Sequence, residues 1–157
     1  MPDSTQPEPT VLIAEDEDVL REAFREFLET EGFRVLCAGD GRAALDLLNT
    51  GEEVSAILLD LQMPVMNGLE FRRRQLADGR FSSTPVIAMT GGLGSDAEAS
   101  QLEIRTLLRK PVTLDRLLST LRSLPGIPES PAPRSAQVLG RRGDAKTRVP
   151  QRAARAK

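Results

Sequence analysis

Apolar positions recur along the chain at two alternating periods. The stretch "TVLIA" is a short continuous apolar run ending at Ala14. Such a run is typical of a strand covered on both faces, as in a parallel sheet. Behind it Val19, Leu20, Ala23, Phe24, Phe27 and Leu28 return at helical spacing and mark one stripe. Asp18 is placed to cap that helix and Gly32 to stop it. The alternation then repeats. "FRVLCA" predicts a second strand, and Ala43, Ala44, Leu47 and Leu48 the stripe of a second helix ending at Gly51. "VSAILLD" is the third and most apolar strand, followed by a helix with Leu69, Arg72 or Arg73, and Leu76 at helical spacing. "TPVIAMT" predicts a fourth strand and "GSDAEASQLE" a short, weakly apolar fourth helix. "RTLLRK" predicts a fifth strand, and Leu114, Leu117, Leu118 and Leu121 the stripe of a fifth helix.

Strand–helix alternation of this kind predicts an α/β fold, a five-stranded parallel sheet with helices on both faces. The pattern does not determine strand order. Of the doubly wound orders, 2-1-3-4-5 fits five strands and this length. Open parallel sheets bind ligands beyond the carboxyl ends of their strands. Those ends carry Glu15 and Asp16, then Asp60, then Thr90 with Gly91 and Gly92, then Lys110. In that order the first and third strands are neighbours, so Glu15, Asp16 and Asp60 converge. Three carboxylates that close require a counter-charge. Oxygen-only donors suit a hard cation, and Mg²⁺ suits one or two carboxylates, retained waters and phosphate oxygens. Lys110 adds a positive point charge and Thr90 a hydroxyl. Together these groups describe a phosphoryl-acceptor site. Taken singly, each has a plainer reading. A strand-end aspartate is more often structural, Lys110 before a proline suits the surface, and Thr90-Gly91-Gly92 suits a turn. Their joint placement at four strand ends of one face favours the chemistry.

Composition narrows the field. With no histidine in the chain, a serine–histidine or cysteine–histidine catalytic pair is excluded. A single cysteine, Cys37, excludes an internal disulfide and suggests no zinc site. The opening "MPDSTQPEPT" does not resemble a secretory signal, and no apolar run is long enough to span a membrane; a cytoplasmic protein is expected. Charge is uneven. Residues 125–157 hold eight basic and two acidic groups, whereas residues 1–124 hold 13 basic and 21 acidic groups. The expected organisation is a flexible leader (1–9), one domain (10–124) and a proline- and arginine-rich, disordered basic tail (125–157). That tail is a solvated extension or an electrostatic docking segment for an acidic protein or nucleic acid.

The acidic pair after the first strand, "LLDLQMPVMNG", "AMTG" and "LLRKP" together resemble the receiver domain of bacterial two-component response regulators, over about residues 10–124. The resemblance implies a flavodoxin-like sheet and a regulatory protein rather than an enzyme. By it, Asp60 is the phosphoacceptor. Asp16 is a direct Mg²⁺ ligand, Glu15 acts through water, and Gln62 offers its backbone carbonyl to the metal. Thr90 and Lys110 follow the phosphoryl group. Three positions depart from the family pattern. Glu15 stands where aspartate is usual, Leu107 stands where an aromatic is usual, and the segment before the fifth strand is short and lacks the customary Gly-Ala.

The implied partners are a histidine kinase or histidine phosphotransfer protein and a downstream protein target. No DNA-binding domain is expected in residues 125–157. The alternative is a receiver-shaped interaction module that works without phosphorylation. A dehalogenase-like phosphatase would need a second aspartate where Gln62 stands. A dinucleotide site would need its glycines after the first strand, where this chain has acids.

Overall fold

The computed structural model describes residues 7–92 and 96–129. The strands are β1 (Thr10–Ala14), β2 (Arg34–Ala38), β3 (Ala56–Asp60), β4 (Val86–Thr90) and β5 (Thr106–Arg109). All are parallel and lie in the order β2-β1-β3-β4-β5, as expected. Between them run α1 (Asp18–Thr30), α2 (Gly41–Leu48), α3 (Gly68–Ala77) and α4 (Asp96–Gln101), with α5 (Leu114–Arg122) after β5.

Side chains alternate along a strand, so the sheet feeds two cores. Val11, Ile13, Ala56, Leu58, Ile87 and Met89 pack with Phe24 and Leu28 of α1 and Leu117 and Leu121 of α5. Leu12, Ala14, Ile57, Leu59, Val86 and Ala88 pack with Ala44 and Leu48 of α2, Phe71 of α3 and Ala99 of α4. Every residue of β1, β3 and β4 is buried, which explains why these strands read as unbroken apolar runs.

Local chemistry sets the helix limits. Asp40, Asn67 and Thr113 each cap a helix by accepting a backbone N–H three residues on. Helix α1 ends in a Schellman turn. Gly32, at φ 96°, donates to Glu29 O at 3.2 Å and Phe33 donates to Leu28 O at 3.0 Å.

Several details differ from the sequence expectation. Asp18 is the first residue of α1 rather than its cap. Glu17 holds the cap position without a side-chain bond, and the Asp18 carboxylate turns to Arg21. Val19 is 78% exposed, because the first turn of α1 begins past the end of β1, and Leu114 in the first turn of α5 is also exposed. The covered face of α3 is not its leucines. Phe71, Arg72 and Gln75 are buried, and Leu69 and Leu76 only half so. Arg72 donates to Gln75 Oε1, Leu102 O and Glu103 O, while Gln75 Nε2 donates to Phe81 O and Thr84 O, so two polar side chains are satisfied in place.

The packed body also continues beyond residue 124, since Ile127 is buried against the α1/α5 core. Residues 1–6 of the expected leader, 93–95 in "TGGLGS" and 130–157 of the expected tail lie outside the described residues. Among the described residues no helix is long and apolar enough to cross a membrane.

Candidate functional site

Register brings the charged residues together. Ala14 of β1 pairs with Leu59 of β3, so Glu15 and Asp60 sit side by side one residue further on. Asp60 pairs with Met89, which places Thr90 just past it on β4. Thr90 pairs with Arg109, and the Lys110 N–H donates to Thr90 O at 2.8 Å. Each of these positions lies at the carboxyl end of its strand, where the sheet stops and a side chain can reach over the edge.

Lys110 Nζ stands 3.0 Å from both Glu15 Oε2 and Asp60 Oδ2. The second Asp60 oxygen, Oδ1, accepts the Gln62 N–H at 2.9 Å. Glu15 Oε1 accepts the Glu17 N–H at 3.2 Å. Glu15, Asp16 and Asp60 each present an oxygen within 4.8 Å of the others. Glu15 and Asp60 are buried, whereas Asp16 is exposed and forms the open side. The Thr90 hydroxyl engages the turn that follows it, accepting the Gly92 N–H at 3.2 Å.

Burial pushes the Glu15 carboxyl up to about 7. The Lys110 hydrogen bond opposes that rise and the neighbouring Asp60 charge adds to it. Burial also works against the Lys110 ammonium, but its hydrogen bonds to Asp60 and Glu15 outweigh the cost and hold its pKa above the ordinary value. One ammonium faces three carboxyl groups here, and their oxygens suit a hard divalent cation. Burial pushes the lone Cys37 thiol up, the reverse of what a nucleophilic thiol needs.

The loop after Asp60 is built tightly. A Cβ on Gly68 would collide with Asp60 O, and one on Gly41 would stand 2.7 Å from Met66 O. Gly41 donates to that same oxygen at 2.9 Å, tying the start of α2 to the loop. Val65 adopts φ 66° and is 84% exposed, a left-handed conformation unusual for a β-branched residue. A cavity of about 510 Å³ lies elsewhere, among Pro9, Thr10, Arg34 and Ser55 at the amino ends of β1 and β2, and includes none of the acidic set.

Contacts thus join Glu15, Asp60 and Lys110, proximity adds Asp16, the Gln62 backbone bonds Asp60, and register places Thr90 beside them. Sequence reasoning missed Arg21, whose Nη1 donates to Glu15 O at 2.8 Å. Its only signal was a basic residue one helical turn beyond the acids.

Residues 11–122 match the family described as the response regulator receiver domain. The transcriptional regulatory protein CrdR of Helicobacter pylori is 38% identical over 110 residues, 68% of this chain and 50% of CrdR. The chain therefore spans half the length of that relative, and its match to the sensory/regulatory protein RpfC of Xanthomonas campestris covers 16% of RpfC. The polar-differentiation response regulator DivK of Brucella anthropi is 29% identical over 119 residues, 74% of this chain and 96% of DivK. Among solved structures, the chemotaxis protein CheY4 of Vibrio cholerae superposes with a TM-score of 0.69 at 28% identity, over 73% of this chain and 97% of that one.

Proposed function

The chain belongs to the response regulator receiver family, and on that premise we propose that Asp60 accepts a phosphoryl group with Mg²⁺ bound beside it. The observation that carries the reading is the convergence of Glu15, Asp16 and Asp60 within 4.8 Å, with Lys110 Nζ 3.0 Å from two of them. Three oxygen donors, one of them exposed, fit a cation that prefers carboxylates and keeps waters and phosphate oxygens. Asp16 would hold Mg²⁺ directly with Asp60 and the Gln62 carbonyl, and Glu15 would act through water. When bound, the ion supplies positive charge to the transferring phosphoryl oxygens.

The chain's own groups account for the rest. An Asp60 carboxylate oxygen forms the new O–P bond while the donor's N–P bond breaks, and the electron pair leaves with the donor imidazole. The Gln62 N–H orients Asp60 through Oδ1. Lys110 swings from a carboxylate to a phosphoryl oxygen, keeping its charge in place through the transfer. Thr90 offers a hydroxyl to another phosphoryl oxygen. Histidine is absent from the chain, so the phosphohistidine must come from elsewhere. The donor is a histidine kinase or a histidine phosphotransfer protein, and the phosphorylated form signals through altered protein contacts or passes the group on. CrdR is a transcriptional regulator by name, and the chain matches half of it. DivK, a polar-differentiation response regulator by name, is matched over 96% of its length.

The test is intact-mass analysis after incubation with a small phosphodonor and Mg²⁺. One added phosphoryl group is expected in the wild type and none in Asp60→Asn. Equal labelling of the two proteins, or no labelling of either, defeats the assignment.

A further inference from the structure

We propose that Arg21 is a positioning residue for the acidic site, fixing the turn that carries Glu15 and Asp16 so that metal affinity depends on it. The inference rests on the metal-assisted phosphoacceptor reading above.

Sheet pairing ends just as the acids begin. The Glu15 N–H still donates to Ala38 O of β2 at 3.1 Å, but its carbonyl has left the ladder. Arg21 Nη1 supplies the missing partner at 2.8 Å. Glu15 is buried, so this carbonyl without a partner would bear a desolvation cost. Arg21 is suited to the task because it also belongs to the first turn of α1. Its backbone N–H donates to Glu17 O at 2.9 Å, and Nη2 pairs with Asp18 Oδ1 at 2.5 Å. The Asp18 pair is exposed and adds little energy, but it sets the plane of the guanidinium. The arginine side chain is about one-fifth exposed and lies against the end of β2, with Nη1 3.7 Å from where a Cβ on Gly39 would stand. One residue thus clamps the exit from β1 and the entry to α1, with the acids between.

Asp16 shows why the clamp matters. Among the described residues no hydrogen bond or ion pair holds its carboxylate, unlike Glu15 and Asp60, which Lys110 holds. The backbone therefore sets where the Asp16 side chain leaves the chain, and the peptide that leads into it carries the carbonyl held by Arg21. Removing the guanidinium would free that peptide to rotate and displace the residue that would hold the metal directly. Partners of this outer kind change metal affinity by about 10- to 100-fold when lost.

The experiment is a calorimetric Mg²⁺ titration of the full chain, wild type beside Arg21→Gln, Arg21→Lys and Asp16→Asn, with metal-free thermal unfolding of each. Arg21→Gln is expected to raise the Mg²⁺ Kd about tenfold or more, at a temperature where the protein remains folded. Arg21→Lys keeps one donor and is expected to fall between the wild type and Arg21→Gln. A merely structural role would lower the unfolding temperature and leave the Kd of the folded protein unmoved. Wild-type affinity in Arg21→Gln overturns the proposal. If that variant does not fold, wild-type affinity in Arg21→Lys does the same. Failure of the wild type to bind Mg²⁺ defeats the metal reading itself, a result distinct from a bound wild type matched by the Arg21 variant.

Discussion

Glu15 controls how the site responds to pH. Its carboxyl has an ordinary value of 4.5 and is raised in the fold to about 7. Between those values the unfolded chain has lost the proton and the folded one keeps it, so each step up in pH favours unfolding. The contribution is fully present below about 4.5 and gone above about 7. The exposed acids whose pKa values are lowered by arginine partners, such as Glu52 with Arg34 and Glu70 with Arg74, act at lower pH and in the opposite direction. Metal-free protein is therefore expected to unfold at a lower temperature near pH ~8 than near pH ~5.5. Glu15→Gln should flatten that difference, and Mg²⁺ should raise the wild-type value most at the higher pH. Thermal scans at the two pH values check this, and a wild-type curve that rises with pH would contradict it. The sequence showed that Glu15 belonged at the strand end. It did not show that the residue is sealed from water while Asp16 beside it is open, because exposure at a strand end depends on which way each side chain leaves the sheet.

Helix α3 shows what periodicity can and cannot deliver. Its limits were legible from Asn67-Gly68 and the repeat that follows. Its buried face was not, because the residues that face inward are Phe71, Arg72 and Gln75 rather than the leucines. A polar side chain enters a core when its acceptors are already in place. Here they are the Leu102 and Glu103 carbonyls of the turn before β5 and the Phe81 and Thr84 carbonyls before β4. Burial pushes the Arg72 pKa down, yet its three hydrogen-bond partners are neutral acceptors. Arg72→Ala leaves those acceptors without a donor and is expected to destabilise the domain by about 1–3 kcal/mol, measured by urea unfolding. Arg72→Leu with Gln75→Leu should cost less than the sum of the two single changes, because the second removes a group the first has orphaned. Additive costs would show that the two side chains act separately. The short α4 and Leu107 lie on the same side of the sheet. The sequence flagged Leu107 and the short segment before β5 as departures from the family pattern. That segment is closed by its own backbone bonds, Glu103 N–H to Ser100 O and Ile104 N–H to Ala99 O, and is also held by Arg72 of α3, far away in the chain.

At the scale of the molecule, the alternating periods disclosed the sheet and its helices. Strand order came from matching strand number and length to a known arrangement, and the structure bears it out. The sidedness of the layers was less legible, since it depends on which strand parity faces which helix. The outcome is two cores back to back, α1 and α5 on one side and α2, α3 and α4 on the other, with β1, β3 and β4 filling both. This shared sheet has a kinetic consequence. Loosening one helical layer still leaves β3 covered by the other, so its amides reach solvent only when the whole domain opens. In deuterium exchange the amides of Ile57, Leu58 and Leu59 are expected to be among the last to label, at the rate of global unfolding. Early exchange there would mean that a single layer holds the strand. Asp60 stands at the tip of that strand. A carboxylate proposed to meet a partner protein from outside would thus be mounted on the slowest-breathing part of the chain, keeping its place while the loops around it fluctuate.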